Sequence, residues 1–79
     1  MQYRHRITSS VRPPCLILGG GSSWDDDDPA IKFGWLTVTG AIARGGEYPA
    51  VALPEMVEFA IKNGYVTAKD IVEAVAKAL

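Results

Sequence analysis

The chain is short and carries almost no side chains that could cross-link it, and this combination limits its fold more than any other feature. It has 79 residues, one cysteine and one histidine. A domain of this size buries only about 60% of the surface that its unfolded chain exposes, so its core is thin. A lone cysteine excludes an internal disulfide, and a structural zinc site needs more cysteine and histidine ligands. Oligomerisation is the remaining common source of stability, and the hydrophobic content of 48% is consistent with it.

The sequence contains no membrane or secretion signal. Its uninterrupted apolar runs reach about four residues, whereas a membrane-spanning helix needs ~20. The first ten residues lack the apolar segment of a signal peptide, and a single cysteine suits a reducing compartment. We therefore expect a cytoplasmic protein, or part of a particle assembled in the cytoplasm, with no membrane partner.

The front of the chain, residues 1–53, is rich in strand and turn signals. Tyr3, His5 and Ile7 alternate with polar residues, which is typical of a strand with one polar face. Further strands are predicted over residues 15–18, 32–43 and 48–53, from their apolar, β-branched and aromatic content. The glycine-, serine- and aspartate-rich residues 19–29 are predicted to form a loop.

Residues 54–79 predict a helical hairpin. Pro54 suits the first position of a helix, Gly64 suits a left-handed helix end, and Thr67 suits the N-cap of a second helix. One face of that helix has the spacing of a buried stripe, formed by Ala68, Ile71, Val72, Val75 and Leu79. The predicted fold is a single α+β domain over residues 1–79, in which a small sheet of three or four short strands packs against this hairpin.

Charge is segregated along the chain, although the net charge is only -1. Residues 1–12 form a basic arm without any acidic residue, and an aspartate run follows Trp24 in the predicted loop. An exposed aromatic residue beside charged groups is a good interface anchor, although Trp24 could equally cover the core of its own domain. The predicted partner-binding residues are Arg4, Arg6, Arg12, Trp24, Asp25, Asp26, Asp27 and Asp28.

Other sites are poorly supported by the sequence. The aspartate run lacks the ligand spacing of a calcium-binding loop, so we predict no metal site and no cofactor. Gly19–Gly21 follows a strand as a phosphate-binding loop does, but no helix-opening motif follows it. The second predicted helix has no net charge, whereas a helix that reads DNA usually carries a basic surplus. We therefore expect no nucleic-acid reading by the helices.

We also predict that the protein is not an enzyme and has no catalytic residues. His5 lies on the apolar side of its strand, where a structural histidine is the common case. Cys15 borders an apolar strand, where thiols are usually inert. No serine stands in a nucleophile-elbow pattern.

These observations favour a structural or assembly protein that acts as a homo-oligomer or as a repeated component of a larger particle, such as a virion or phage. The basic arm of one copy would meet the acidic loop of the next, with Trp24 supplying apolar contact. One alternative is a small protein-binding regulator or inhibitor that uses the acidic loop. A weaker alternative is a nucleic-acid-binding module that uses the arginine-rich arm.

Overall fold

The computed structural model describes residues 1–43 and 45–79, which form five strands and two α-helices. The strands are β1 (Gln2–Thr8), β2 (Leu16–Gly21), β3 (Pro29–Leu36), β4 (Ile42–Ala43) and β5 (Glu47–Pro49). A 3₁₀ helix at Ala50–Ala52 leads into α1 (Leu53–Lys62), and α2 (Ala68–Ala78) follows. The predicted α+β class, with a small sheet and a C-terminal pair of helices, is confirmed.

All the strand pairs are antiparallel. β2 lies between β1 and β3, while β5 and β4 pair with successive parts of β3. Ile7, Ile17 and Phe33 are register partners across three strands, so their side chains share one face of the sheet. Side chains alternate along a strand, and Leu16 and Leu18 therefore point to the opposite face.

The core lies on the Leu16–Leu18 face and is small. Among the described residues, the buried hydrophobic side chains are those of Leu16, Leu18 and Ala30, and Leu18 alone among large residues is fully enclosed. The 3₁₀ helix contacts β3 and α1, and thereby connects the sheet to the helices. A thin core is what the length of the chain predicts.

The prediction of a loop from residue 19 is wrong at its start, because β2 continues through Gly19, Gly20 and Gly21. These glycines allow close backbone contact rather than a flexible turn. A Cβ on Gly20 would collide with the carbonyl group of Gln2 in β1. One on Gly21 would collide with Asp26 in the following loop. Neither neighbour could approach β2 so closely if these residues had side chains.

The predicted strand over residues 32–43 is divided by a turn. The amide of Thr37 donates to the carbonyl of Ala41 at 2.8 Å, and Gly40 supplies the positive φ of 83° that closes the turn. The chain then returns as β4, so this region forms a hairpin. The predicted strand over residues 48–53 is also shorter than expected, since β5 ends at Pro49 and the 3₁₀ helix follows.

Helix α1 ends as Gly64 predicts. Gly64 has a φ of 77°, its amide donates to Ile61 at 3.2 Å, and the amide of Tyr65 donates to Ala60 at 2.9 Å. This pair of bonds is a Schellman motif. The Tyr65 ring stacks on Phe59 with centroids 6.5 Å apart, which supplies the apolar contact that often accompanies the motif.

The N-cap prediction for α2 is also confirmed. The hydroxyl of Thr67 accepts a hydrogen bond from the amide of Asp70 at 3.1 Å, and Asp70 lies in the first turn, where the helix dipole favours an acid.

The apolar stripe of α2 is less buried than the sequence predicts. Neither helix contains a buried residue, and Val72 and Val75 stay exposed by 66% and 54%. Neither α1 nor α2 as described is long and apolar enough to cross a membrane. The two helices therefore present an apolar surface outside the core.

The close approach of β1 to β2 leads to a stability prediction. Gly20→Ala should lower the free energy of unfolding by about 1–3 kcal/mol, because the added methyl group meets backbone that cannot move aside. Chemical denaturation would measure this. Gly19→Ala is the matched control in the same strand, since its Cβ would have no neighbour closer than 4.0 Å. Equal stabilities for the two variants would contradict the close approach.

Candidate functional site

The acidic loop between β2 and β3 is an ordered turn built on Ser22. The Ser22 hydroxyl donates to the carbonyl of Asp25 at 2.6 Å and accepts from the amide of Asp25 at 2.9 Å. The carbonyl of Asp28 accepts from the amide of Ser22 at 3.0 Å. Ser22 is buried and holds the base of the loop, while Asp25, Asp26 and Asp27 are exposed and Asp28 is half-buried.

The basic arm meets this loop within the same chain. Arg4 Nη2 lies 3.1 Å from Asp26 Oδ2, and both side chains are about half exposed. The Gln2 amide, oriented with its nitrogen toward the loop, donates to Asp26 Oδ1 at 2.9 Å. An exposed ion pair of this kind contributes only ~0–1 kcal/mol. Its main consequence is that Arg4 and Asp26 are already engaged with each other.

The other predicted arginines are differently placed. Arg6 is exposed on β1, and Arg12 is exposed in the turn between β1 and β2. Across residues 1–43 and 45–79, neither forms an ion pair. The structure thus brings one of the three arginines to the acidic loop and leaves two facing solvent.

Trp24 lies on the loop surface rather than over the core. Its side chain is 51% exposed, and its Nε1 donates to Asp28 Oδ2 at 2.6 Å. This bond fixes the direction of the indole while leaving much of its surface open. Of the two interpretations of Trp24, the geometry favours an exposed aromatic group over a cover for the core.

The loop carboxylates face different partners. Asp25 Oδ1 accepts from the amide of Asp27, Asp26 faces Arg4, and Asp28 faces Trp24. Within residues 1–43 and 45–79, no three carboxylate, histidine or cysteine side chains are grouped as metal ligands would be.

A second polar contact ties the loop to β5. The amide of Ser23 donates to Glu47 Oε1 at 3.0 Å, and its hydroxyl donates to Glu47 Oε2. The Ser23 hydroxyl bond is the main cause that lowers the pKa of Glu47, and the Ser23 amide, the amino group of Met1 and Lys32 lower it further. Glu47 thus acts as an anionic anchor for the start of the loop.

The groups considered for catalysis or phosphate binding do not converge. His5 is exposed on β1 opposite Gly19, and Cys15 is half-buried beyond the last β1–β2 pair, Thr8–Leu16. The glycines that resembled a phosphate loop lie within β2.

Two apolar surfaces remain outside the core. The first, which we call the sheet patch, consists of Ile7, Ile17, Phe33 and Trp35. All four are exposed, and strand register and alternation place them on the sheet face opposite the core. A shallow depression of about 270 Å³ crosses it and is also lined by His5 and Arg6.

The second surface is a concave depression on α1, which we call the helical groove. Its volume is about 540 Å³, and it is lined by Ala52, Glu55, Met56, Phe59, Ala60 and Tyr65. Phe59 is 62% exposed. The groove exists because the Schellman turn brings Tyr65 back onto the face of α1 that carries Phe59.

Sequence reasoning missed both the residues that attach the acidic loop and the helical groove. Gln2, Ser23 and Glu47 attach the loop to β1 and β5, but ordinary polar residues far apart in sequence carry no local signal of such contacts. The helical groove had a partial signal, since Gly64 predicts a turn that returns the next residue to the helix.

No protein family, curated protein or solved structure gives a significant match to this chain.

The Ser23–Glu47 contact predicts a pH dependence. Because the pKa of Glu47 is lowered in the folded chain, its carboxylate stabilises the fold above about pH 4.5, and this contribution is lost as the pH falls through the folded pKa. Ser23→Ala should move the Glu47 pKa back up toward 4.5, and should make stability below that pH less dependent on pH. Carboxyl NMR titration and acid unfolding would measure the two effects.

Ser10→Ala is the control, because it changes an exposed serine outside the loop. If the pKa of Glu47 were the same in both variants, the Ser23 hydroxyl would not be its determinant.

Proposed function

We propose that the protein is a non-enzymatic structural or assembly protein that acts as a homo-oligomer, or as a repeated component of a larger particle such as a virion or phage. In this proposal the particle is assembled in the cytoplasm. The observation that carries it is an excess of exposed surface over what a stable monomer of this size would show.

The chain exposes 6032 Å². A compact monomer of 8.5 kDa is expected to expose about 4,700 Å², so the excess is roughly 1,300–1,400 Å². The radius of gyration agrees, at 13.6 Å against an expected ~11.6 Å for a compact chain of this length. Burial between copies would remove such an excess.

Part of the excess is apolar and grouped. The sheet patch and the helical groove each present several large side chains, whereas isolated exposed apolar residues are common on monomers. Contiguous apolar surface of this kind marks interaction sites. At about 25 cal/mol per Å² of apolar surface removed from water, these two surfaces are the main potential source of association free energy.

The charged groups are proposed to orient the contact. Arg6 and Arg12 are available to a neighbour, as are Asp25, Asp27 and the exposed face of Trp24. Arg4 and Asp26 already pair with each other within their own chain. Their main role in the proposal is therefore to hold the shape of the acidic loop and not to contact a neighbour. Rim charges mainly affect association rate and orientation.

A second candidate function is a protein-binding regulator whose acidic loop meets a basic partner. The exposure of Trp24 beside the aspartates favours it. The nucleic-acid alternative is weakened, because Arg4 faces Asp26 rather than solvent alone. A regulator would remain monomeric when pure, and replacing Asp25 and Asp27 with asparagine would abolish partner binding.

The proposal predicts the mass in solution. Light scattering after gel filtration should give a mass well above 8.5 kDa both at low salt and at 1 M salt, where the Debye length is about 3 Å. Salt should change the mass little because apolar burial is the main contribution. A multimer that dissociates in high salt would instead assign the contact to exposed charge pairs, and a monomer at all concentrations would refute assembly.

The role of Trp24 is tested separately. Trp24→Ala should weaken assembly by about fivefold or more if the indole is buried by a neighbour, since truncating an anchor residue costs more than ~1 kcal/mol. Thr39→Ala, an exposed change in the β3–β4 turn, is the control. Unchanged assembly of Trp24→Ala would remove Trp24 from the interface but leave the apolar surfaces.

A further inference from the structure

We infer that two copies associate head to tail, with the sheet patch of one copy seated in the helical groove of the next. This inference rests on the proposed function and names the contact by which it is carried out. The partner is a second copy of this chain. The two surfaces are different parts of the molecule, so the contact is heterologous. Each copy carries one sheet patch and one helical groove.

The two surfaces are complementary in form. The groove is a concave depression of about 540 Å³ whose floor and walls are apolar apart from Glu55. The sheet patch is a row of branched and aromatic side chains, and its central members Ile7, Ile17 and Phe33 are register partners. Side chains from such a row can enter a groove of this volume. Both surfaces are open to solvent in the single chain.

Charge favours the contact between unlike surfaces. Glu55 lines the groove, with Glu58 beside it, and Glu58 is paired with Lys62 at 2.9 Å. The depression on the sheet patch is lined by His5, Ile7, Ile17 and Ile31 and, among the described residues, by no acidic residue. Arg6 also borders it, but Arg6 is the register partner of Leu18, so its side chain points to the opposite face of the sheet. Groove against groove would bring two copies of Glu55 together, whereas groove against patch brings Glu55 near no second carboxylate.

The exposed area of the whole chain is comparable with the area that two contacts on each copy would bury. A standard interface buries ~800 Å² on each partner, so a copy in a head-to-tail series buries about 1,600 Å². The excess surface of roughly 1,300–1,400 Å² over a compact monomer is close to this value. A heterologous contact closes into a ring if the rotation between copies allows, and otherwise extends as a filament.

Two single variants test the arrangement. Phe59→Asp should disable the groove, and Ile7→Asp should disable the sheet patch. Both residues are 62% exposed, so folding should be retained, and circular dichroism checks this. Val38→Asp is the matched control, because Val38 is fully exposed and belongs to neither surface. Each of the first two variants should be a monomer in light scattering, and the control should assemble like the unmodified chain.

Mixing the two variants decides the geometry. Each variant keeps the surface that the other has lost, so an equimolar mixture should form a dimer of twice 8.5 kDa that cannot grow further. The inference is overturned if either variant alone still assembles, or if the mixture stays monomeric while the unmodified chain is a multimer. In those cases the proposed function stands and the contact lies elsewhere. An unmodified chain that is always monomeric refutes the proposed function itself.

Discussion

The rest of the structure depends on the close backbone contact at Gly20 and Gly21. At these two positions β2 has no side chains, so β1 lies against one residue and the acidic loop against the other. That contact brings Arg4 over Asp26 and Gln2 beside it. The polar bonds on the surface are weak individually because they are exposed. They form because the backbones beneath them are already close.

The small core has a direct consequence for the surface of the protein. With three buried hydrophobic residues among those described, the chain leaves much of its apolar content on the sheet patch and the helices. In a larger domain the helical hairpin would cover one face of the sheet completely. Here the 3₁₀ helix provides the connection, and α1 and α2 stand largely outside the core with apolar side chains in solvent.

Local signals allowed much of the fold to be predicted. The alternation of Tyr3, His5 and Ile7 predicts the strand β1, although the register shift between Tyr3 and His5 places Tyr3 on the other face from His5 and Ile7. Gly64 and Thr67 predict the ends of the helices, because each end depends on a few neighbouring residues. The strand conformation of Gly19–Gly21 could not be predicted in this way, since it depends on Gln2 and Asp26, which are distant in sequence. For the same reason the charge pattern indicates that the arm and the loop can pair, but not that Arg4 selects Asp26 of its own chain.

The position of β1 at the edge of the sheet affects how copies avoid each other. An exposed edge can pair with the edge of another molecule and so extend without limit. An antiparallel pairing centred on His5 would set Arg4 of each copy opposite Arg6 of the other, and like charges across a ladder are unfavourable. The register shift between Tyr3 and His5 also interrupts the regular edge. Both features disfavour this edge-to-edge pairing of β1, whereas the exposed apolar surfaces lie on a face of the sheet and on α1.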